Sequence, residues 1–233
     1  NNADLFAQAL SGGVVDLSSV QTMTDPAAGN THARSIQVKA DGGGSLVRLE
    51  ALQRFEDFRA ETREAWRAAL KRTEGPTAFA LSRQKVDQID RKKHSDAKGL
   101  HKGAYILAES ETTSGMNAEP KLILIATGSE VGLAMKAHEK LNAAGTPTRV
   151  VSMPCWEFFD QQSEKYKESV LPASVTARLA IEAGVSLGWA KYTGDAGDTL
   201  SVDRFGASAP AEDVFRDYGF TVENVLKKAK RLL

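Results

Sequence analysis

Apolar residues in the second half of the chain follow two alternating rhythms. Short unbroken runs, LILIA at Leu122–Ala126 and RVVSM at 149–153, have the length expected of strands buried on both faces. Between them Val131, Met135, His138 and Leu141 recur at helical spacing, and Gly145 stops the pattern. Residues 104–108, 177–183 and 200–202 predict further strands. Two helices close the pattern: 211–218, stopped by Gly219, and Val222–Leu232, capped by Thr221. Strand, helix and strand at this spacing imply right-handed crossovers and a mostly parallel sheet flanked by helices, an α/β fold.

The first half is patterned less regularly and predicts at most an incomplete α/β segment ahead of that domain. VVDLSSV (14–20) has strand character, while the glycines of 41–45 mark a turn or hinge. Leu46, Leu49, Leu52 and Phe55 at three-residue spacing predict a helical stretch from Leu46 onward. Residues 1–45 do not form a recognisable domain. A helix over 61–72 carries Ala65, Trp66, Ala69 and Leu70 on one face and ends before Gly75-Pro76. TAFALS (77–82) then predicts a short apolar strand ending at Arg83, and the polar stretch 85–100 reads as a surface linker between domains.

Composition narrows the function classes. Thirty Lys+Arg balance thirty Asp+Glu, so no basic footprint marks nucleic acid or a membrane surface. One cysteine, Cys155, excludes an internal disulfide framework. No apolar run approaches the ~20 residues of a membrane span, and residues 1–10 lack the pattern of a signal peptide. The expectation is a soluble, cytoplasmic protein.

Arg83 is the strongest single candidate for chemistry. It stands where a strand meets its following loop, the edge at which open α/β sheets bind ligands, and its guanidinium fork suits a phosphate or carboxylate. A salt bridge holding the linker is the alternative. ATGSEV (126–131) places small residues at a helix N-terminus, with Ser129 as cap and Glu130 in the first turn. It has no G-x-G-x-x-G and no Walker lysine, and Glu130 would repel phosphate, so tight strand-to-helix packing is its expected use. His32, His94, His101 and His138 have no metal spacing among themselves or with Cys155. His94 and His101 are expected to be solvated, His138 packed or at the surface, and Cys155 a buried or bystander thiol. Trp189, Tyr192 and Phe205 form either a recognition patch or, the preferred reading, anchors for loops or a subunit interface. Asp203 and Arg204 are candidates for an ion pair at a strand end.

Seven blocks in order resemble the C-terminal part of a transketolase: GPTAFALSRQ, KGAYILAES, LILIATGSEVGLAMKAHEKLNAAG, RVVSMPCWEFFD, ESVLPASVTARLAIEAG, GWAKYTG and DRFGASAPAEDVFRDYGFTVENV. They cover about 58–230. The resemblance implies transfer of a two-carbon ketol unit between sugar phosphates in the pentose phosphate pathway, with thiamine diphosphate and Mg²⁺, in enzymes whose active sites lie at a dimer interface. It implies that 58–95 is the tail of a pyrimidine-binding domain and its linker and that 96–233 is the C-terminal domain, and it leaves 1–57 a divergent segment. Arg83 matches the family's substrate phosphate-binding arginine. No catalytic residue and no ligand for the cofactor or metal is identifiable: the diphosphate-binding domain is absent, the activating glutamate is missing, and the family's W-H-K-Y reads Trp189-Ala190-Lys191-Tyr192. The chain alone is therefore expected to be inactive, with a second copy or a complementary chain as partner. The alternative is a non-catalytic dimerisation or interaction module derived from such a domain.

Overall fold

The computed structural model describes residues 60–73, 75–82, 86–110 and 118–233, together with the backbone of six short strands before them. It divides into two compact units, 1–77 and 78–233.

In the first unit the strands are β1 (Leu5–Leu10), β2 (Val14–Asp16), β3 (Thr22–Thr24), β4 (Ile36–Asp41), β5 (Leu46–Arg48) and β6 (Arg54–Glu56). The first pairs with the fourth, the second with the fifth and the third with the sixth, always in parallel. The three earlier strands thus pair in order with the three later ones. This corrects the helical reading from Leu46, which rested on three-residue spacing without a cap or a sustained run of helix formers. Helix α1 (Ala60–Lys71) follows. Its buried residue is Glu64, 2 % exposed and ion-paired with Arg67 at 2.6 Å, whereas Leu70 of the expected inner face is 42 % exposed.

Residues 77–82 are not a strand. The segment is without regular structure, and Leu81 is 57 % exposed. Apolar content alone makes no strand, because the backbone N–H and C=O groups need a ladder partner.

The second unit is a five-stranded sheet with β7 (Tyr105–Glu109), β8 (Leu122–Ala126), β9 (Thr148–Ser152), β10 (Arg178–Ile181) and β11 (Asp198–Leu200) in the order β11-β10-β8-β9-β7. All neighbours are parallel except β7, which runs antiparallel along β9. Every residue of β8 is fully buried, as a central strand covered on both faces requires. Leu122 and Leu124 face the core beneath α2 (Glu130–Ala143), α6 (Ala211–Asp217) and α7 (Val222–Leu232). Ile123 and Ile125 face the opposite core, closed by α3 (Trp156–Asp160), α4 (Glu164–Val170) and α5 (Ala190–Thr193). Each such side chain contributes about 1.5–3 kcal/mol by leaving water.

The predicted inner face of α2 holds: Val131, Met135, His138 and Leu141 are all buried. Thr221 caps α7 by accepting from the Asn224 N–H at 3.2 Å. The polar stretch 85–100 is only partly a linker. Its end enters a 3₁₀ turn, Ala97–Lys102, in which Ala97 and Leu100 join the buried interior.

Candidate functional site

The chain leaves β8 toward β9 on one side and leaves β10 toward β11 on the other, so the carboxyl ends of β8 and β10 flank the point where α/β sheets hold ligands. Here that edge is filled by the domain's own side chains. Gly128 turns the chain at φ +56° into α2. Ser129 already has helical backbone angles and makes no side-chain cap; its hydroxyl donates to Glu130 Oε1 at 2.6 Å, a correction to its expected role. Glu130 is buried, and its other oxygen accepts from the Ala183 N–H, just past β10, at 3.1 Å. Burial pushes the Glu130 carboxyl above its ordinary value, against the opposing pull of the Ser129 and Ala183 bonds. The glycine turn therefore packs strand to helix, and a carboxylate occupies the place an anion would take.

On the other side Glu182 accepts from the Trp189 indole N–H at 2.8 Å. Trp189 is fully buried, edge-on to Trp156 with ring centroids 4.9 Å apart, and Tyr192 packs against both. Asp160 accepts from Tyr192 Oη at 3.1 Å and from Lys191 Nζ at 2.7 Å. Burial, with the Asp160 charge beside it, pushes the Tyr192 hydroxyl well above its ordinary value, so it donates and does not ionise. Trp189 and Tyr192 are thus loop anchors, while Phe205 stands apart at 99 % exposure. Asp203 and Arg204 do not pair: Asp203 accepts from the Ser186 N–H at 2.8 Å, and Arg204 bridges to Asp217 at 2.6 Å.

Cys155 is half-buried, and its thiol is pushed up by burial and by the neighbouring Glu157, so it is no ready nucleophile. His101 is exposed and lies in the 3₁₀ turn, and His94 is half-buried. His32 and Arg83 lie outside the described residues. Among the described residues no group of three His, Cys, Asp or Glu could hold a metal, and no helix is long and apolar enough to cross a membrane.

A cleft of about 450 Å³ opens where 86–87 pass α2 and α6, floored by Leu133, Phe215 and Phe220. Its cations are engaged: Lys136 with Asp87 at 2.6 Å, and Arg216 with Asp213.

The transketolase-like TK C-terminal domain family matches residues 103–221. This chain belongs to that family. It is 49 % identical over 173 residues to the transketolase of Geobacillus stearothermophilus, covering 74 % of this chain and 25 % of the relative. It is 52 % identical over 172 residues to that of Streptococcus pyogenes, covering 74 % and 23 %. Among solved structures, transketolase from Leishmania mexicana superposes with a TM-score of 0.64 at 38 % identity, over 74 % of this chain and 24 % of that one. The chain thus spans about a quarter of the length of the relatives it matches. Among the described residues no cluster supplies metal ligands for the family's metal, and the Gly128 turn at the start of α2 carries a buried carboxylate where an anion would sit.

Sequence reasoning missed the two arginines that tie the domain together. Arg149 on β9 pairs with Glu109 on β7 and donates to the Ser169 and Val170 carbonyls at the end of α4, at 2.8 and 2.9 Å. Arg178 on β10 donates to four backbone carbonyls. Both sit inside apolar strand patterns, and a charged residue there was the available signal.

His138 forms a buried polar chain. Asn142 Nδ2 lies 3.0 Å from its Nε2, Asn142 Oδ1 accepts from the Ser110 hydroxyl, and Ser110 Oγ accepts from the Thr148 N–H at 2.6 Å. Burial, and then the nearby His94, hold the His138 pKa below its ordinary 6.5, while Glu139 and the Thr148 backbone oppose the shift. Below that value the unfolded chain takes up a proton that the native ring resists. Stability is therefore full above pH 6.5 and falls as the pH drops toward the native pKa, by at most ~1.4 kcal/mol per pH unit. Urea midpoints at neutral and mildly acidic pH will show this slope in the wild type and a flatter one in His138→Gln; equal slopes would remove His138 as the cause.

Proposed function

We propose that this chain supplies the C-terminal domain, and in Arg83 a substrate phosphate-binding group, to an assembly that transfers a two-carbon ketol unit between sugar phosphates. The observation that carries this reading is the close identity to transketolases over 173 residues that make up only a quarter of the relative's length. When bound in the complete assembly, thiamine diphosphate with Mg²⁺ supplies the electron sink for carbon–carbon cleavage. The groups holding it come from the rest of the family's chain, and no chemical step falls to the described residues here. On this reading 58–95 is the tail of a pyrimidine-binding domain, and Arg83 holds the phosphate tail so that remote binding energy positions the reacting carbonyl.

The test is reconstitution. The purified chain is assayed with a ketose phosphate donor and an aldose phosphate acceptor, alone and mixed with Geobacillus stearothermophilus transketolase lacking the segment this chain matches. No turnover alone and turnover on mixing are expected; turnover by the chain alone would end the assembly reading. In the active mixture Arg83→Ala should raise KM for phosphorylated substrates by about 10- to 100-fold, the loss of a charged hydrogen bond worth about 1.5–3 kcal/mol. Unphosphorylated donors should be spared, and equal losses for both would refute the role. A second reading, an interaction module, is favoured by one observation: Val185, Leu187 and Phe205 are apolar and exposed.

A further inference from the structure

The buried chain that starts at His138 can run in either direction. His138 and Asn142 lie one turn apart on α2, and Ser110 stands just past β7. His138 and Ser110 are 5 % and 7 % exposed. Ser110 is the pivot, because its hydroxyl has one hydrogen and two acceptors in reach. Asn142 Oδ1 is the first, and the Thr148 carbonyl, at 3.0 Å, is the second. The same hydroxyl oxygen accepts from the Thr148 N–H at 2.6 Å. At the other end Asn142 Nδ2 lies 3.0 Å from His138 Nε2.

With a neutral ring, Nε2 accepts from the Asn142 amide, and Asn142 Oδ1 takes the Ser110 hydrogen. A proton on Nε2 sets donor against donor. Turning the Asn142 amide over removes the conflict: Oδ1 then accepts from the ring, and Nδ2 donates to Ser110 Oγ. The Ser110 hydrogen swings to the Thr148 carbonyl. The two lone pairs of Ser110 Oγ take Asn142 Nδ2 and the Thr148 N–H. One proton enters from water, none leaves, and no member of the chain loses its partner, the loss that ordinarily bars a proton from a buried ring.

We propose that His138, Asn142 and Ser110 are a proton-operated relay, which gives the domain a second folded state in mild acid with the bonds between α2 and the β7–β9 edge reversed. Ser110 continues that edge: its N–H donates to the Thr148 carbonyl at 3.2 Å beyond the antiparallel pairing of β7 with β9. Its own carbonyl accepts from the Ala118 N–H at 2.7 Å. A proton taken up on α2 therefore changes the bonding of the residues that flank 111–117. The titratable groups acting on the ring, among the described residues, are His94 on the turn at 91–94 and Glu139 on α2 itself, and β9 contributes the Thr148 backbone. His94 opposes the proton together with burial, while Glu139 and Thr148 favour it.

The relay needs no substrate, cofactor or partner, so its failure and a failed reconstitution are separate results. NMR of the isotope-labelled full chain, taken from neutral to mildly acidic pH, follows the His138 ring nitrogens, the Asn142 side-chain amide and the Thr148 backbone amide. All three should move together with one midpoint, below the ordinary 6.5, in a chain that stays folded, and should return when the pH is raised. Asn142→Asp offers an acceptor at both oxygens, so the ring gains its proton with no turnover of residue 142. Its midpoint should rise by at least about one pH unit, roughly tenfold in proton affinity, while Thr148 loses most of its response. Ser110→Ala removes the pivot: the ring still titrates and Thr148 no longer follows. Should Ser110→Ala fail to fold, Asn142→Asp decides the same point. An Asn142 amide that stays fixed while the ring titrates, or a wild type that unfolds before the ring takes up a proton, would overturn the proposal. So would a Thr148 amide that follows the ring in the folded variants as it does in the wild type, which is the response to charge alone.

Discussion

Arg178→Met will destabilise the sheet unit by about 3 kcal/mol or more, against less than about 1 kcal/mol for Arg204→Ala. The guanidinium of Arg178 donates to the carbonyls of Val175 and Tyr192 at 2.8 Å each, of Pro172 at 2.8 Å and of Leu171 at 3.1 Å. Those carbonyls belong to the turn entering β10 and to the end of α5, segments that no backbone ladder joins. Burial works against the charge of Arg178, with Glu168 the opposing influence, so the carbonyl bonds are what make its position tolerable. Methionine keeps much of the stem's volume but none of the donors, and it leaves four acceptors to find water in a half-closed space. Arg204 makes one exposed ion pair with Asp217, which solvent screens. Urea denaturation followed by the fluorescence of Trp156 and Trp189, both beside α5, reads the difference. Comparable midpoints for the two variants would show that the four carbonyls find water at no cost and that Arg178 is not a tie.

The sheet unit was legible because its signals are local. Five apolar residues in a row at Leu122–Ala126 leave no exposed face, and the structure buries all five. The α2 stripe and the Thr221 cap follow from spacing and side-chain chemistry within single elements, and both hold. What failed depends on partners far along the chain. TAFALS has the composition of a strand, but composition does not supply a neighbour, and the segment lies without a ladder. The three-residue rhythm from Leu46 has helical spacing, and nothing local shows that Leu46–Arg48 and Arg54–Glu56 pair with strands laid down much earlier. Adjacency in sequence suggests an Asp203–Arg204 pair, yet each side chain has its partner elsewhere. The short helices α3, α4 and α5 went unread for a related reason: α3 and α5 span barely a turn of apolar and aromatic residues, and their form is set by packing on Phe159, Trp189 and Tyr192 rather than by a periodic pattern. For the site, Arg83 stands out by its place at an expected strand end and by the resemblance, but 77–82 is no strand; the closing of the sheet edge by Glu130 and Glu182 shows only in three dimensions, where two carboxylates far apart in sequence reach the two ends of one loop.

Gly103→Ala will abolish folding of the sheet unit, whereas Gly145→Ala will cost about 1–2 kcal/mol. The two glycines share a backbone conformation, φ +82° and φ +78°, so the strain of placing an L side chain in the left-handed region is common to both. Space separates them. A Cβ at Gly145 meets nothing within 4 Å. A Cβ at Gly103 would stand 2.2 Å from the Phe159 nitrogen and 2.3 Å from the Cys155 carbonyl oxygen, inside the first turn of α3. These are backbone atoms, so no rotamer change relieves the contact; α3 must withdraw from the end of the 3₁₀ turn. Withdrawal breaks the hydrogen bond from the Cys155 N–H to the Gly103 carbonyl at 3.0 Å. It also draws Phe159 and Trp156 away from Trp189 and Tyr192, opening the core on that face of the sheet. Amide exchange in β8 and β9 should become unprotected in Gly103→Ala and remain protected in Gly145→Ala. Protected strands in both would mean that the turn before β7 can shift without carrying α3 with it.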